Sequence, residues 1–155
     1  MIQIVKDADT RPWFFLQTAH TTYGMRVMET GHLEHLYYGE RITVDSQDPA
    51  SCAPLVIQRA FAPGNTCTYD REHPQISMED VCLEVGTLGK GDIREPFLEV
   101  RFADGSVTSD FTFDSYKIIT LKEREQCLQD SGLPHSYSEV ETDSAAVSYT
   151  HLTLP

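Results

Sequence analysis

The chain has 155 residues, 40% hydrophobic and 23% charged, enough for one globular domain and too apolar for disorder along its whole length. Twelve Lys plus Arg against 24 Asp plus Glu leave a formal net charge of −12. That sign repels phosphate backbones and anionic lipid, which excludes nucleic acid and membrane surfaces as expected partners.

The start, Met1 to Asp7, has no basic segment followed by an apolar one, so it does not read as an export signal. The four cysteines (Cys52, Cys67, Cys82, Cys127) form no C-x-x-C pair. Reduced thiols and a cytoplasmic location are therefore expected. Trp13-Phe14-Phe15-Leu16 is the most apolar early stretch, yet it stops at Gln17, far short of the roughly 20 residues that cross a bilayer. Alternation then begins. In Thr22 to Glu29, Tyr23, Met25 and Val27 fall on one face, as in a strand buried on one side. Thr30-Gly31 supplies a turn and His32 to Gly39 runs back, which predicts a β-hairpin over residues 21–39.

A region rich in turn formers follows: Pro49, Pro54, Pro63-Gly64-Asn65, Asp70 to Pro74, then Gly86, Gly89 and Gly91. A second hairpin is predicted from Pro96–Phe102 and Val107–Phe113, joined by a two-residue turn at Asp104-Gly105. A break near Asp114-Ser115 precedes another strand through Tyr116, Ile118 and Thr120, and Lys122 to Asp130 suits a helical turn or two. Short alternating strands with Gly and Pro punctuation predict an all-β fold, an antiparallel β-sandwich.

Catalytic and metal constellations fare poorly. His32 and His35 are an odd offset apart, so a strand sends them to opposite faces, and they read as ordinary surface or edge histidines. The cysteines lack zinc-site spacing. Gly86-Thr87-Leu88-Gly89-Lys90-Gly91 departs from the phosphate-loop pattern, because Lys90 is followed by Gly91-Asp92 and a strand rather than a helix. Glu95 and Glu99 are an even offset apart on a presumed strand, but a solvated strand face explains them without a glycosidase-type carboxylate pair. No G-x-S-x-G elbow occurs. No catalytic residue, metal ligand or cofactor site is assigned.

The last nine residues, Val147 to Pro155, break with the polar acidic stretch Ser138 to Ser144 before them. The string VSYTHLTLP resembles the translated end of a transposon adapter used in preparing sequencing libraries. The expected division is a domain over residues 1–146, cut near Ala146, and a non-native tail over 147–155. The alternative is a native, slightly β-prone terminus.

At His35-Leu36-Tyr37-Tyr38-Gly39, Arg59-Ala60-Phe61-Ala62-Pro63 and Gly89-Lys90-Gly91-Asp92-Ile93-Arg94-Glu95-Pro96, order and spacing form a pattern. With Phe15-Leu16-Gln17-Thr18, Gly105 to Phe111 and Gly132-Leu133-Pro134, it resembles the amino-terminal β-sandwich domain of bacterial α-galactosidases of glycoside hydrolase family 36. The likeness runs from about Thr10 to Tyr137. It implies a supersandwich-like fold, incomplete here at its C-terminal end, and a parent enzyme that cleaves terminal α-galactosyl residues with retention. The two aspartates that do so belong to a (β/α)₈ barrel outside this chain, and no cofactor is implied. The fragment itself is expected to be inactive. Through that barrel the partner is an α-galactoside, and the parent is expected to be a homo-oligomer.

Two substrate-binding candidates follow from the resemblance. Asp70-Arg71 matches the Asp-Arg of a loop that closes part of the galactose pocket, so Arg71 would donate hydrogen bonds to sugar hydroxyls. Gln58 stands where many members carry Asp before Arg-Ala-Phe. A plain ion pair of Arg71 with Asp70 or Glu72 is the competing reading, and Asp92 and Arg94 are expected to brace their turn. Of Tyr37 and Tyr38, one ring is expected in the core and the other against the barrel. A free-standing carbohydrate-binding sandwich and a pure oligomerisation module are the rival functions.

Overall fold

The computed structural model describes residues 1–57, 68–78, 81–89, 95–119 and, as backbone, 147–153. β-branched and aromatic residues are concentrated in its first three strands, as a pleated and largely buried surface favours. These are β1 (Ile2–Lys6), β2 (Pro12–Gln17) and β3 (Thr21–Val27), and β4 (Leu33–Glu40) follows them. They form one antiparallel sheet in the order β1-β2-β3-β4. The apolar run Trp13 to Leu16 is thus an inner strand, paired on both sides.

Because side chains alternate across a strand, β2 feeds two cores. Trp13 and Phe15 pack with Val5, Val44 and Cys52, the last two from the segment that crosses one face after β4. That segment carries a 3₁₀ turn, Pro49–Leu55, in a region read from sequence only as turn-rich. Phe14 points the other way, among Met25, Val27 and Leu33.

A further strand, β5 (Thr112–Ile119), covers the second face. Its Phe113 and Tyr116 rings stand 5.9 and 5.1 Å from Phe14, centroid to centroid. β5 pairs antiparallel with β6 (Val147–Thr153), which lies in the stretch set apart above as a tail. The fold class is all-β and antiparallel, as expected, with two sheets joined through the Phe14 cluster.

The hairpin expected over 21–39 is present, and Gly31 takes a φ of +82° in its turn. Its Cβ position would also lie 3.2 Å from the Thr112 side chain, so this turn abuts β5. Phe113 N–H donates to the Gly31 carbonyl at 2.7 Å. The β3–β4 register slips between Gly24 and Met25, leaving Leu36 as the extra residue of a bulge. Gln17, buried in the quoted Phe-Leu-Gln-Thr segment, donates to the Ile42 carbonyl at 2.8 Å and so ties the crossing segment to the sheet. Glu34 is 3% exposed, and its cross-strand partner Arg26 meets it at 2.7 Å while lying over the Trp13 ring.

Several sequence expectations are corrected. The second hairpin does not form a ladder: Pro96 to Phe102 is irregular, and the regular strand starts only at Thr112. The Asp104-Gly105 turn exists, but as a three-residue loop in which Phe102 N–H donates to the Ser106 carbonyl and Gly105 has φ +88°. The break at Asp114-Ser115 is a register shift within one continuous strand. Glu95 and Glu99 share no strand and both are exposed. Tyr37 is only half-buried and Tyr38 is 70% exposed, so neither ring is core. Gln58, Arg59-Ala60-Phe61, Asp92, Arg94 and the Lys122–Asp130 helix lie outside the described residues.

Phe14→Ala removes the ring on which the second face closes. Urea unfolding is expected to show a loss of about 3–5 kcal/mol, the range for deleting a buried Phe; a loss near zero would contradict the two-faced core.

Candidate functional site

The segment 69–76 is a closed loop. At its base Tyr69 N–H donates to the Ile76 carbonyl at 2.8 Å, and Ile76 N–H to the His73 carbonyl at 3.1 Å. The Asp70 side chain builds the bend between them. Its Oδ1 accepts from the backbone N–H groups of Glu72 at 2.8 Å and His73 at 2.7 Å, and it meets His73 Nδ1 at 2.9 Å. Such side-chain to backbone bonding is what makes Asp a turn former. Burial works to raise the Asp70 pKa, but the bonds from His73 and Glu72 outweigh it and hold the carboxyl below its usual 3.8.

Arg71 sits inside that bend, exposed to solvent. Among the described residues no ion pair joins Arg71 to Asp70 or Glu72, and the Asp70 carboxylate is engaged by His73 and by the Glu72 N–H group. Among the described residues the guanidinium has no hydrogen-bond or ion-pair partner. Its five donors meet no acceptor among the described residues.

Polar contacts fasten the loop to the turn after β3. The Tyr69 hydroxyl donates to Asp110 Oδ2 at 2.8 Å. The other oxygen, Oδ1, lies 2.7 Å from His32 Nε2, and His32 Nδ1 lies 2.9 Å from Thr30 Oγ1. The rings of His32 and Tyr69 meet edge to face at 5.1 Å. On the outer side Gln75 Nε2 donates to Glu29 Oε1 at 2.8 Å. His32 is 3% exposed, not the surface or edge residue expected. Burial first, then the bond to Asp110, pushes the Tyr69 phenol up to about 12.

His35 serves a separate cluster, in which its Nδ1 meets Glu84 Oε1 at 3.0 Å and the Tyr23 hydroxyl donates to Glu84 Oε2. Burial and that carboxylate raise the Tyr23 phenol. This cluster fastens segment 82–84 to the edge of β4, where Glu84 N–H donates to the Leu33 carbonyl and His35 N–H to the Cys82 carbonyl. Among the described residues no group of three His, Cys, Asp or Glu side chains is placed to hold a metal ion, and Cys52 and Cys82 are free thiols. No helix among them is long and apolar enough to cross a membrane.

Arg71 is thus the one sequence candidate that the described residues place, and Gln58 falls outside them. The anchors His32, Tyr69 and Asp110 escaped the sequence reading. Asp110 lies 78 residues from His32 and 41 from Tyr69, so no local pattern joins them. Sequence alone offers two traces, Asp110 within the Gly105 to Phe111 motif and His32 as an ordinary histidine, with nothing to join them.

Comparison with known proteins gives one consistent likeness. The family model of the glycosyl hydrolase family 36 N-terminal domain matches residues 31–152. The bifunctional alpha-galactosidase/sucrose kinase AgaSK of Mediterraneibacter gnavus is 34% identical over 127 residues, covering 81% of this chain and 12% of that protein. Alpha-galactosidase AgaA of Geobacillus stearothermophilus is 29% identical over 131 residues, 84% of this chain and 16% of that protein. Among solved structures, the alpha-galactosidase from Lactobacillus brevis superposes with a TM-score of 0.61 at 32% identity, covering 74% of this chain and 14% of that one. The chain therefore spans less than a fifth of the length of these relatives.

A raised phenol pKa carries a sign. The folded chain favours protonated Tyr69, so its contribution to stability is whole below pH 10 and fades as pH rises through about 12. In Asp110→Asn the Tyr69 titration, followed by carbon NMR of the ring, is expected to move down toward 10. An unmoved midpoint would contradict the assigned bond.

Proposed function

The chain belongs to the glycosyl hydrolase family 36 N-terminal domain family, and on that premise we propose that it is the non-catalytic N-terminal module of an α-galactosidase. The whole protein hydrolyses terminal α-galactosyl residues of galacto-oligosaccharides, raffinose-type sugars among them, with retention at the anomeric carbon. Its nucleophile and acid/base are two carboxylates of a barrel outside this chain, and a retaining pair needs them about 5 Å apart. In this reading residues 1–146 form the sandwich module and 147–155 are a non-native tail. The whole enzyme is a cytoplasmic homo-oligomer.

Arg71 is the module's contribution to the substrate. A guanidinium in a fixed bend offers planar, charged donors to vicinal sugar hydroxyls, at less entropic cost than one on a free chain. The observation that carries this is the solvent-exposed Arg71 with no partner among the described residues, beside an Asp70 already consumed by its own turn. Gln58 is proposed, from the resemblance, as a second polar contact to the sugar, since an amide both donates and accepts.

The full-length protein, expressed from the coding sequence read on past Ala146, is expected to turn over raffinose and p-nitrophenyl α-galactoside. The 155-residue chain alone is expected to turn over neither. Arg71→Ala should raise KM about tenfold, the worth of one charged hydrogen bond, with kcat within about twofold. Turnover by the isolated chain, or an unchanged KM in Arg71→Ala, would sink the corresponding half of this reading.

A further inference from the structure

Three side chains distant in sequence meet under the base of the Arg71 loop. Asp110 uses both carboxylate oxygens at once, one toward Tyr69 from the loop at 2.8 Å and the other toward His32 from the turn after β3 at 2.7 Å. His32 is in turn held from its other nitrogen by Thr30, itself buried. The turn is no soft support. Gly31 accepts from Phe113 N–H at 2.7 Å, and Met28 N–H donates to the His32 carbonyl at 2.8 Å, so it is built into both sheets. Among the described residues the loop therefore has this floor on one side and the exposed contact of Gln75 with Glu29 on the other.

We propose that His32 and Asp110 are positioning residues for Arg71: through the Tyr69 hydroxyl they fix the base of loop 69–76 to the β3–β4 turn and so set where the guanidinium stands. The inference rests on Arg71 as the sugar contact, and it adds the machinery that aims it. A charge-assisted bond from a phenol to a carboxylate is stronger and shorter than a neutral one, and two such contacts on one carboxylate define a direction as well as a distance. The pair Tyr69 and Asp110 lies at the root of the loop, not at its tip, so neither needs to touch the sugar. Removing the hydroxyl leaves the loop's own turn intact, because Asp70, Glu72 and His73 close it independently. What is lost is its attachment.

Tyr69→Phe in the full-length protein removes a single oxygen and keeps the ring against His32. Amide exchange in peptides spanning residues 68–78 is expected to quicken about tenfold, while that of β2 and β3 stays unchanged. KM for p-nitrophenyl α-galactoside should rise about three- to tenfold with kcat retained, and this rise should vanish when Tyr69→Phe is placed in an Arg71→Ala background. Asp110→Asn, which keeps one carbonyl oxygen as acceptor, should give a smaller increase in both readouts. Unchanged exchange in both variants overturns the proposal, as does exchange quickened across β2 and β3 alike. So does a quickened loop with unchanged KM where Arg71→Ala raises KM. Should Arg71→Ala itself leave KM unchanged, the sugar-contact reading falls, and quickened exchange confined to 68–78 still supports the clamp.

Discussion

Phe14 and Phe15 are adjacent on one strand, both fully buried, and adjacency on a strand means opposite faces. A strand carrying two such rings cannot be left half in water: each exposed Phe would forfeit about 1.5–3 kcal/mol of burial. The chain must cover both sides of β2, and the rest of its architecture follows from how it does so. On the Phe15 side the cover is the segment after β4, with Val44 and Cys52. On the Phe14 side it is β5, arriving from about 100 residues later with Phe113 and Tyr116. The Gly24 pairing opposite Phe15 leaves just enough room, since a Cβ there would stand 3.1 Å from the ring.

Covering the second face with β5 brings a polar consequence. The residues just before that strand are carried to the turn between β3 and β4, and Asp110 arrives beside His32. A buried imidazole and a carboxylate both need partners, because unpaired polar groups out of water are costly. Thr30 and Tyr69 complete the set. The apolar sandwich thus decides where the polar clamp can form, and the clamp decides where the 69–76 loop rests. Segment 82–84 is held on the β4 edge by the same logic, through Glu84 with Tyr23 and His35. Its backbone pairing also covers a sheet edge that would otherwise stand open.

In the proposed reading such a module supports a catalytic domain carried elsewhere in the protein. Binding groups held by packed elements lose little freedom when a ligand arrives, and a loop pinned at its root keeps its tip accessible. Lys6, Arg101 and Lys117 are exposed cations without an ion pair among the described residues, as Arg71 is, so it is the Asp70-built bend around Arg71 and not its charge that sets it apart. Tyr38 and Phe97, 70% and 79% exposed, add apolar area on the described surface.

Local pattern was enough to read the all-β class, the 21–39 hairpin and the Gly31 turn, because period-two alternation and positive-φ turns are properties of neighbours in sequence. The resemblance of ordered motifs points to Asp70-Arg71, but the bend that Asp70 builds around Arg71 is seen only in the structure. Pattern failed where neighbours in space are strangers in sequence. Trp13 to Leu16 showed no alternation because both faces of β2 are buried, so an inner strand looked like a mere apolar run. Pro96 to Phe102 alternates suitably, yet among the described residues its pairing outside its own turn is one isolated bridge, Leu98 to Thr87, because a strand needs a partner edge that continues alongside it. His32 looked like a surface residue because its burial is created by Asp110 and Tyr69, 78 and 37 residues away. Sequence by itself determined the turns, the strand tendency and the residue types available for binding. Only the tertiary structure decided which of them are anchored and which stand free, because a hydrogen bond across the fold depends on packing that no local spacing encodes.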